Sequence, residues 1–519
     1  MSTPPTRRPR RRARRLLGRA LVVVLALVGL AAGLLAFAWT TAAVDTADEV
    51  DFTNRLPVPP LADWTVDDAG RRVFDLRLQA GRTDFGRGGP GADTWGVSGE
   101  YLGPTLRAER GEQVAVRVTN DLGETTTLHW HGMHLPAAMD GGPHQMIAPG
   151  DTWEPHWRID QPAATLWYHP HLHGETAQHV YRGLAGLFLI DDPDMPASLP
   201  DEYGVDDLPV IVQDKSFSDD GQLDADEPLF SPTGFLGETV VVNGSVRPYA
   251  EVKTERVRLR LLNGSNARIY NFGLVGPDGD ERGMQLVGTD GGLLPAPAEI
   301  HRVMLSPGER AEVVVTMTPG ENVTLRSFPA DLGADFWNER FSGGDDTFDV
   351  LELRGTDHLD PSPPLLDRLA PAPDLRAEDA TVRRSFRLGG TNINGRDMDM
   401  DRIDQVVHVG DTEIWELRNA AGSPHNFHVH GVQFQVVDVD GAPPPRQLSG
   451  WKDTVYVAPD STVRLVMRFD AYPDPNSPFM FHCHLLRHED QGMMGQFLVV
   501  GRGDDVQPGD ALDNHGDHQ

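Results

Sequence analysis

Beyond residue 55 the chain alternates short apolar runs, rich in Val, Leu and Ile, with clusters of Gly, Pro and Asp. Segments 113–119, 184–190, 209–213, 257–262, 311–317, 406–409, 413–417 and 462–469 have the length and composition of strands. Asn243-Gly244 and Asn263-Gly264 predict tight turns between such strands. The pattern predicts a mainly β protein of sandwich or barrel units. One unit covers residues 55–195, a second 205–356, and a Pro-rich link, 357–380, leads to a third over 381–501. The acidic tail, 502–519, is expected to be loose.

The first forty residues break this pattern. Arg7, Arg8, Arg10, Arg11, Arg12, Arg14, Arg15 and Arg19 precede a run, 20–39, that carries no charge. Twenty apolar residues are enough to cross a bilayer of about 30 Å hydrocarbon as a helix. Ala36-Phe37-Ala38 also has the small-residue pattern of a cleavage site, so a membrane anchor and a signal peptide both fit residues 1–40. Either reading puts the remainder outside the cytoplasm, secreted or held on the outer face of the membrane. The pair Arg14-Arg15 is compatible with twin-arginine export and equally with simple arginine abundance.

The formal charge is -31, and the leader arginines take the remainder of the chain to -39. Duplex nucleic acid is therefore excluded as a natural partner. A single cysteine in 519 residues rules out an intrachain disulfide.

Ten of the twenty histidines fall in four tight clusters: His129 and His131; His169 and His171; His425, His428 and His430; His482, His484 and His488. In a strand, residues two apart face the same side, so each His-x-His pair can project two imidazoles into one space. One such pair alone would be read as a structural pair, but four together point to metal. Around Cys483 the order is His482-Cys483-His484, then His488 and Met493. An extended backbone there sends His482 and His484 one way and Cys483 the other, to two different sites. A thiolate, two imidazoles and a weak thioether form the ligand set of a blue copper centre. Cys483, His488 and Met493 supply three of these, and His425, out of register with His428 and His430, is the natural fourth. Eight imidazoles remain, too many for a structural or hydrolytic zinc site and suited to a copper cluster.

With these motifs the sequence resembles the three-domain multicopper oxidases, a family that includes laccases, bilirubin oxidases and bacterial cuprous oxidases. The resemblance runs from about Leu56 to Val500. It extends to Asp160-Gln161-Pro162-Ala163-Ala164-Thr165 and Trp451-Lys452-Asp453-Thr454, and is nearest to the cuprous oxidase branch. It implies three cupredoxin-like Greek-key domains, the middle one without copper ligands, and four copper ions. In the family pattern, His129 and His428 would hold the type 2 copper. One type 3 ion would fall to His131, His169 and His484, the other to His171, His430 and His482. The type 1 ion would fall to His425, Cys483, His488 and Met493. The same match nominates Asp140 and Glu489 as proton carriers, although Asp140 before Gly141-Gly142 also suits a turn and Glu489 a surface acid.

The chain departs from the cuprous oxidases in lacking their Met-rich insert. It has only Asp397-Met398-Asp399-Met400, with Ala421 and Ser423 where that branch places an Asp and a Met. The expectation is a laccase-like oxidase that couples oxidation of phenols, aryl amines or metal ions to reduction of O2. A cuprous oxidase and a copper-free envelope scaffold of the same fold are the alternatives.

Overall fold

The computed structural model describes residues 9–194, 198–504, 506–509 and 511. The first element is the helix Pro9–Thr41, whose segment Leu16–Thr41 is long and apolar enough to cross a membrane and is exposed except near its end, where Ala38 is buried. Arg7 and Arg8 lie outside the described residues, as do His515 and His518 of the tail.

Strands dominate the remainder. The predicted runs appear as Gln113–Asn120, Gly186–Asp191, Asp207–Phe217, Arg256–Asn263, Arg310–Thr316, Gln405–His408, Thr412–Asn419 and Thr462–Arg468. They assemble into sheets that group by chain order, two from residues 64–191, two from 207–360 joined by Asn54–Arg55, and two from 382–500. Parallel pairings between distant strands, such as Arg72–Thr83 with Gln113–Asn120 and Val382–Gly389 with Thr412–Asn419, give the Greek-key connectivity.

Alternation places Phe74, Leu76 and Leu78 of one strand and Val114, Val116 and Val118 of its neighbour in the interior. One apolar core runs from the first sheet pair into the third, linking Trp130 and Leu135 with Phe427, Phe481 and Cys483. The middle pair has its own core around Leu259, Phe272 and Leu325. The seams between the pairs are polar and buried. Glu312 accepts from Thr165 Oγ1 at 2.6 Å and pairs with Arg258 and Arg260. Asp490 accepts the backbone N–H groups of Thr176 and Ala177 at 2.9 Å.

Two local expectations need correction. Asn243-Gly244 makes the predicted hairpin turn, both residues having positive φ, between Thr239–Val242 and Ser245–Val246. Asn263-Gly264 does not. Asn263 is buried, and its amide donates to Arg268 O and Leu305 O at 2.8 Å, so it braces a longer loop. The tail is also not wholly loose, because Gly509 N–H donates to Ile403 O at 2.7 Å and Ala511 bridges Arg402.

Candidate metal centre

The strand His129–His131 pairs antiparallel with Ala164–His169, so that His129 lies opposite His169. Across the seam, His428 of the strand His425–Val429 lies opposite His482 of Phe479–His482. These two ladders bring His129, His131, His169, His171, His428, His430, His482 and His484 into one buried cluster.

In most of these rings one nitrogen is anchored from behind while the other faces the cluster. His129 Nδ1 donates to Asp140 O at 2.9 Å, His169 Nδ1 to Pro170 O at 2.8 Å and His428 Nδ1 to Asp453 O at 2.8 Å. His430 Nδ1 lies 2.6 Å from Asp140 Oδ2, and His482 Nδ1 lies 3.1 Å from Glu489 Oε2. His171 Nδ1 is 3.5 Å from Glu489 Oε1. His131 is turned the other way, with Nε2 3.0 Å from Asp453 Oδ1 and Nδ1 inward, 3.4 Å from His169 Nε2.

The inward nitrogens crowd each other. His171 Nε2 and His482 Nε2 are 3.0 Å apart, and His430 Nε2 and His482 Nε2 are 3.1 Å apart. His129 Nε2 and His428 Nε2 are buried with no hydrogen-bond partner among the described residues. Buried polar atoms without partners are rare and costly. Donor atoms within 4.8 Å of one another recur in the sets His129, His428, His430 and His171, His430, His482. Burial pushes His171 and His484 down to about 3 and holds His131, His169, His428 and His430 well below the ordinary imidazole range. Neutral imidazoles with lone pairs aimed at one space fit copper ions.

A second set lies on the other face of the same strand. Cys483 Sγ is 3.7 Å from both His425 Nδ1 and His488 Nδ1, and those two nitrogens are 3.1 Å apart. Met493 is buried in the same apolar cluster, and its backbone carbonyl accepts Cys483 N–H at 3.1 Å. Burial pushes the Cys483 thiol up to about 12, so a cation is needed to hold it as thiolate. One soft sulfur flanked by two imidazoles fits copper as well.

Asn426 couples the two sets, accepting His484 N–H at 2.6 Å on the oxygen that sits 3.5 Å from Cys483 Sγ.

Asp140 and Glu489 are neither a plain turn residue nor a surface acid: both are buried against the cluster. Gly141 explains the placement of Asp140. Its φ is +78°, and a Cβ there would sit 1.8 Å from Leu128 O, so only glycine lets the chain turn so tightly against the strand bearing His129. Burial favours the protonated form of Glu489, but His171, His482 and His484 around it hold the carboxyl well below its usual range.

The sequence reading missed the part played by the middle sheet pair. Arg310 donates to both carboxylate oxygens of Asp453, at 2.7 and 2.6 Å, and Asp453 in turn holds His131 and His428. Gly308 packs directly on His131 and His484. Histidine counting has no means of finding an arginine and a glycine, although Trp451-Lys452-Asp453-Thr454 marked one end of this contact. Asp397-Met398-Asp399-Met400 is a surface segment held to the strand Met494–Val500 through Gln496, and Met398 N–H donates to Gly492 O at 2.9 Å.

Sequence profiles of the multicopper oxidases match residues 82–195 and 360–502. The chain is 34% identical to multicopper oxidase mco of Staphylococcus haemolyticus over 461 residues, 86% of this chain and 93% of that protein. It is 39% identical to cell division protein FtsP of Salmonella typhimurium over 452 residues, 86% and 92% of the two chains. Among solved structures it resembles a laccase from Pediococcus acidilactici, with TM-score 0.77, 34% identity and coverage of 87% and 95%. It also resembles the laccase-like multicopper oxidase CueO from Ochrobactrum sp., with TM-score 0.76, 38% identity and coverage of 86% and 100%. The chain belongs to the three-domain multicopper oxidase family.

Proposed function

We propose that this protein is an extracytoplasmic, laccase-like oxidase that takes electrons singly from phenols, aryl amines or metal ions and reduces O2 to water. Family membership implies copper, O2 and a reducing substrate. The single observation that carries the finer reading is the placement of Cys483 between two donor sets.

In this reading four copper ions are held as follows. His425, Cys483, His488 and Met493 hold the type 1 ion, and His129 and His428 the type 2 ion. His131, His169 and His484 hold one type 3 ion, and His171, His430 and His482 the other. Bound copper supplies the one-electron exchange with the reductant and the multi-electron reduction of O2. The protein supplies connection and protons. Cys483 is bonded through its own backbone to His482 and His484, so a short covalent path joins the two donor sets. Asp140 and Glu489, each touching two rings of the cluster, are placed to relay protons to where oxygen chemistry consumes them. Asp453 and Arg310 fix His131 and His428 in position.

The absence of a Met-rich cover favours organic donors over Cu(I). Oxygen uptake by the copper-loaded chain, comparing a phenol with Cu(I) corrected for spontaneous oxidation, tests this. Faster turnover of the phenol supports the reading, and the reverse preference makes cuprous oxidation the function. Relatives named as cell division proteins motivate a scaffold reading. Uptake with neither donor despite full copper loading would favour that reading.

A further inference from the structure

The end of the N-terminal helix is seated on the body of the protein. Trp39 packs on Phe336, Trp337 and Phe341 with ring centroids 5.4, 5.8 and 6.1 Å apart, and Arg340 Nε donates to Trp39 O at 3.0 Å. Phe230 closes the same cluster, 5.9 Å from Trp337 and 5.6 Å from Phe341. Around this junction large apolar side chains face outward: Phe336 is 75% exposed, Leu229 69% and Phe230 47%. Phe230 also has a φ of +70°, a costly conformation for a bulky residue. The loop that presents Leu229 and Phe230 continues directly to Pro232, whose carbonyl accepts His488 Nε2–H at 2.8 Å. The site where the helix leaves the body and the cover of the Cys483 centre are therefore one surface.

We propose that this surface rests on the bilayer that the helix enters, so that Leu229, Phe230 and Phe336 sit in the lipid interface and Pro232, which caps the buried His488 ring, lies on the membrane side. The occupant follows from continuity: near the end of the apolar helical span Leu16–Thr41 stands Trp39, an aromatic residue of the kind that anchors at the interface, and Trp39 is itself part of the patch. Three exposed apolar side chains beside a membrane span have their apolar solvent within reach. Asp331, Asp335 and Asp345 flank the patch, which suits neutral headgroups better than anionic ones.

The orientation also specifies the reductant, resting here on the oxidase reading. A donor docking on the Pro232 cover of His488 from this side is a phenol or hydroquinone dissolved in the membrane. Two hydroquinones give up four electrons and four protons to become two quinones, and O2 accepts them to become two waters.

The test uses the full chain, copper-loaded, in phosphatidylcholine bilayers. A nitroxide is placed at Phe336→Cys or, should that variant fold poorly, at Leu229→Cys. Val66→Cys, on an exposed strand paired with Arg72–Thr83, is the control. Cys483 is fully buried and escapes labelling. The proposal predicts that labels at 336 and 229 are relaxed by lipid-dissolved O2 and shielded from a water-soluble nickel chelate, with the opposite pattern at 66. Equal access of the chelate to all three positions overturns it. In the same vesicles, Phe336→Asp should raise the KM for a long-chain hydroquinone about tenfold and leave that for a short, water-soluble hydroquinone unchanged. Equal effects on both overturn the substrate inference. Inactivity of the unsubstituted chain toward both donors would count against the oxidase reading and leave the labelling result standing.

Discussion

Asp140 holds His430 from behind, its Oδ2 lying 2.6 Å from His430 Nδ1, while its own backbone carbonyl accepts the Nδ1–H of His129 at 2.9 Å. Because the carbonyl contact survives side-chain truncation, substitution isolates the role of the carboxylate.

Asp140→Ala should therefore lower kcat for oxygen consumption about a hundredfold, the typical contribution of a positioned proton-transfer group, with little change in the KM for the reducing substrate. The visible absorption of the Cys483 centre should be retained, because Asp140 makes no contact there. Steady-state kinetics with one phenol, alongside the optical spectrum, checks both points. A rise in KM alone would assign Asp140 a different role.

Gly308→Ala tests the contribution of the middle sheet pair. The residue has φ +87°, and an added Cβ would lie 3.2 Å from both His131 and His484. Strain of this kind costs about 1–3 kcal/mol and acts on the rings themselves. We expect reduced copper content and activity down by about tenfold or more. Gly89→Ala, with open space around its Cβ position, should behave as the unsubstituted chain.

Much of this centre was legible in the sequence. Period-two spacing announced that His129 with His131 and His482 with His484 would share a face, and the intervening Cys483 announced a second site. What stayed hidden depends on long-range packing. No local signal tells that Arg310 reaches Asp453, or that His131 turns Nδ1 toward the eight-ring cluster, because Asp453 captures its Nε2. Asn263-Gly264 misled for the same reason: a dipeptide that favours a tight turn was instead used to brace a loop against Leu305. Nor does hydropathy along the chain reveal that Trp39 would meet Phe336.

Glu312 sits between Arg258 and Arg260 at the seam of the first and middle sheet pairs. Burial pushes its carboxyl up, but the two guanidinium groups outweigh this and hold it at about 2. Glu312→Leu would leave Arg258 buried without its carboxylate, a loss of about 3–5 kcal/mol. A fall in the thermal midpoint read by circular dichroism would show this. No change in midpoint would mean that the seam contributes little.

Lys215 gives a pH dependence with a definite sign. Burial lowers its amine to about 7, against the partial support of Asp214, and Nζ donates to Tyr181 O at 2.7 Å. The unfolded amine keeps its proton up to about 10.4. Between these values the unfolded chain binds more protons, so this group favours folding more strongly as pH rises and loses that contribution as pH falls toward 7. Relative to the unsubstituted chain, Lys215→Met should be more stable at pH 7.5 than at pH 9.5, the difference changing by up to about 1.4 kcal/mol per pH unit. Parallel midpoint curves for the two proteins across this range would contradict the assignment.

The central claim is that one chain joins a single-electron site to a cluster that reduces O2 completely. The most direct measurement is the ratio of a one-electron donor oxidised to O2 consumed by the copper-loaded chain, with hydrogen peroxide assayed in the same vessel. The account predicts four donors oxidised per O2 and no peroxide. Two donors per O2 with release of peroxide would contradict it.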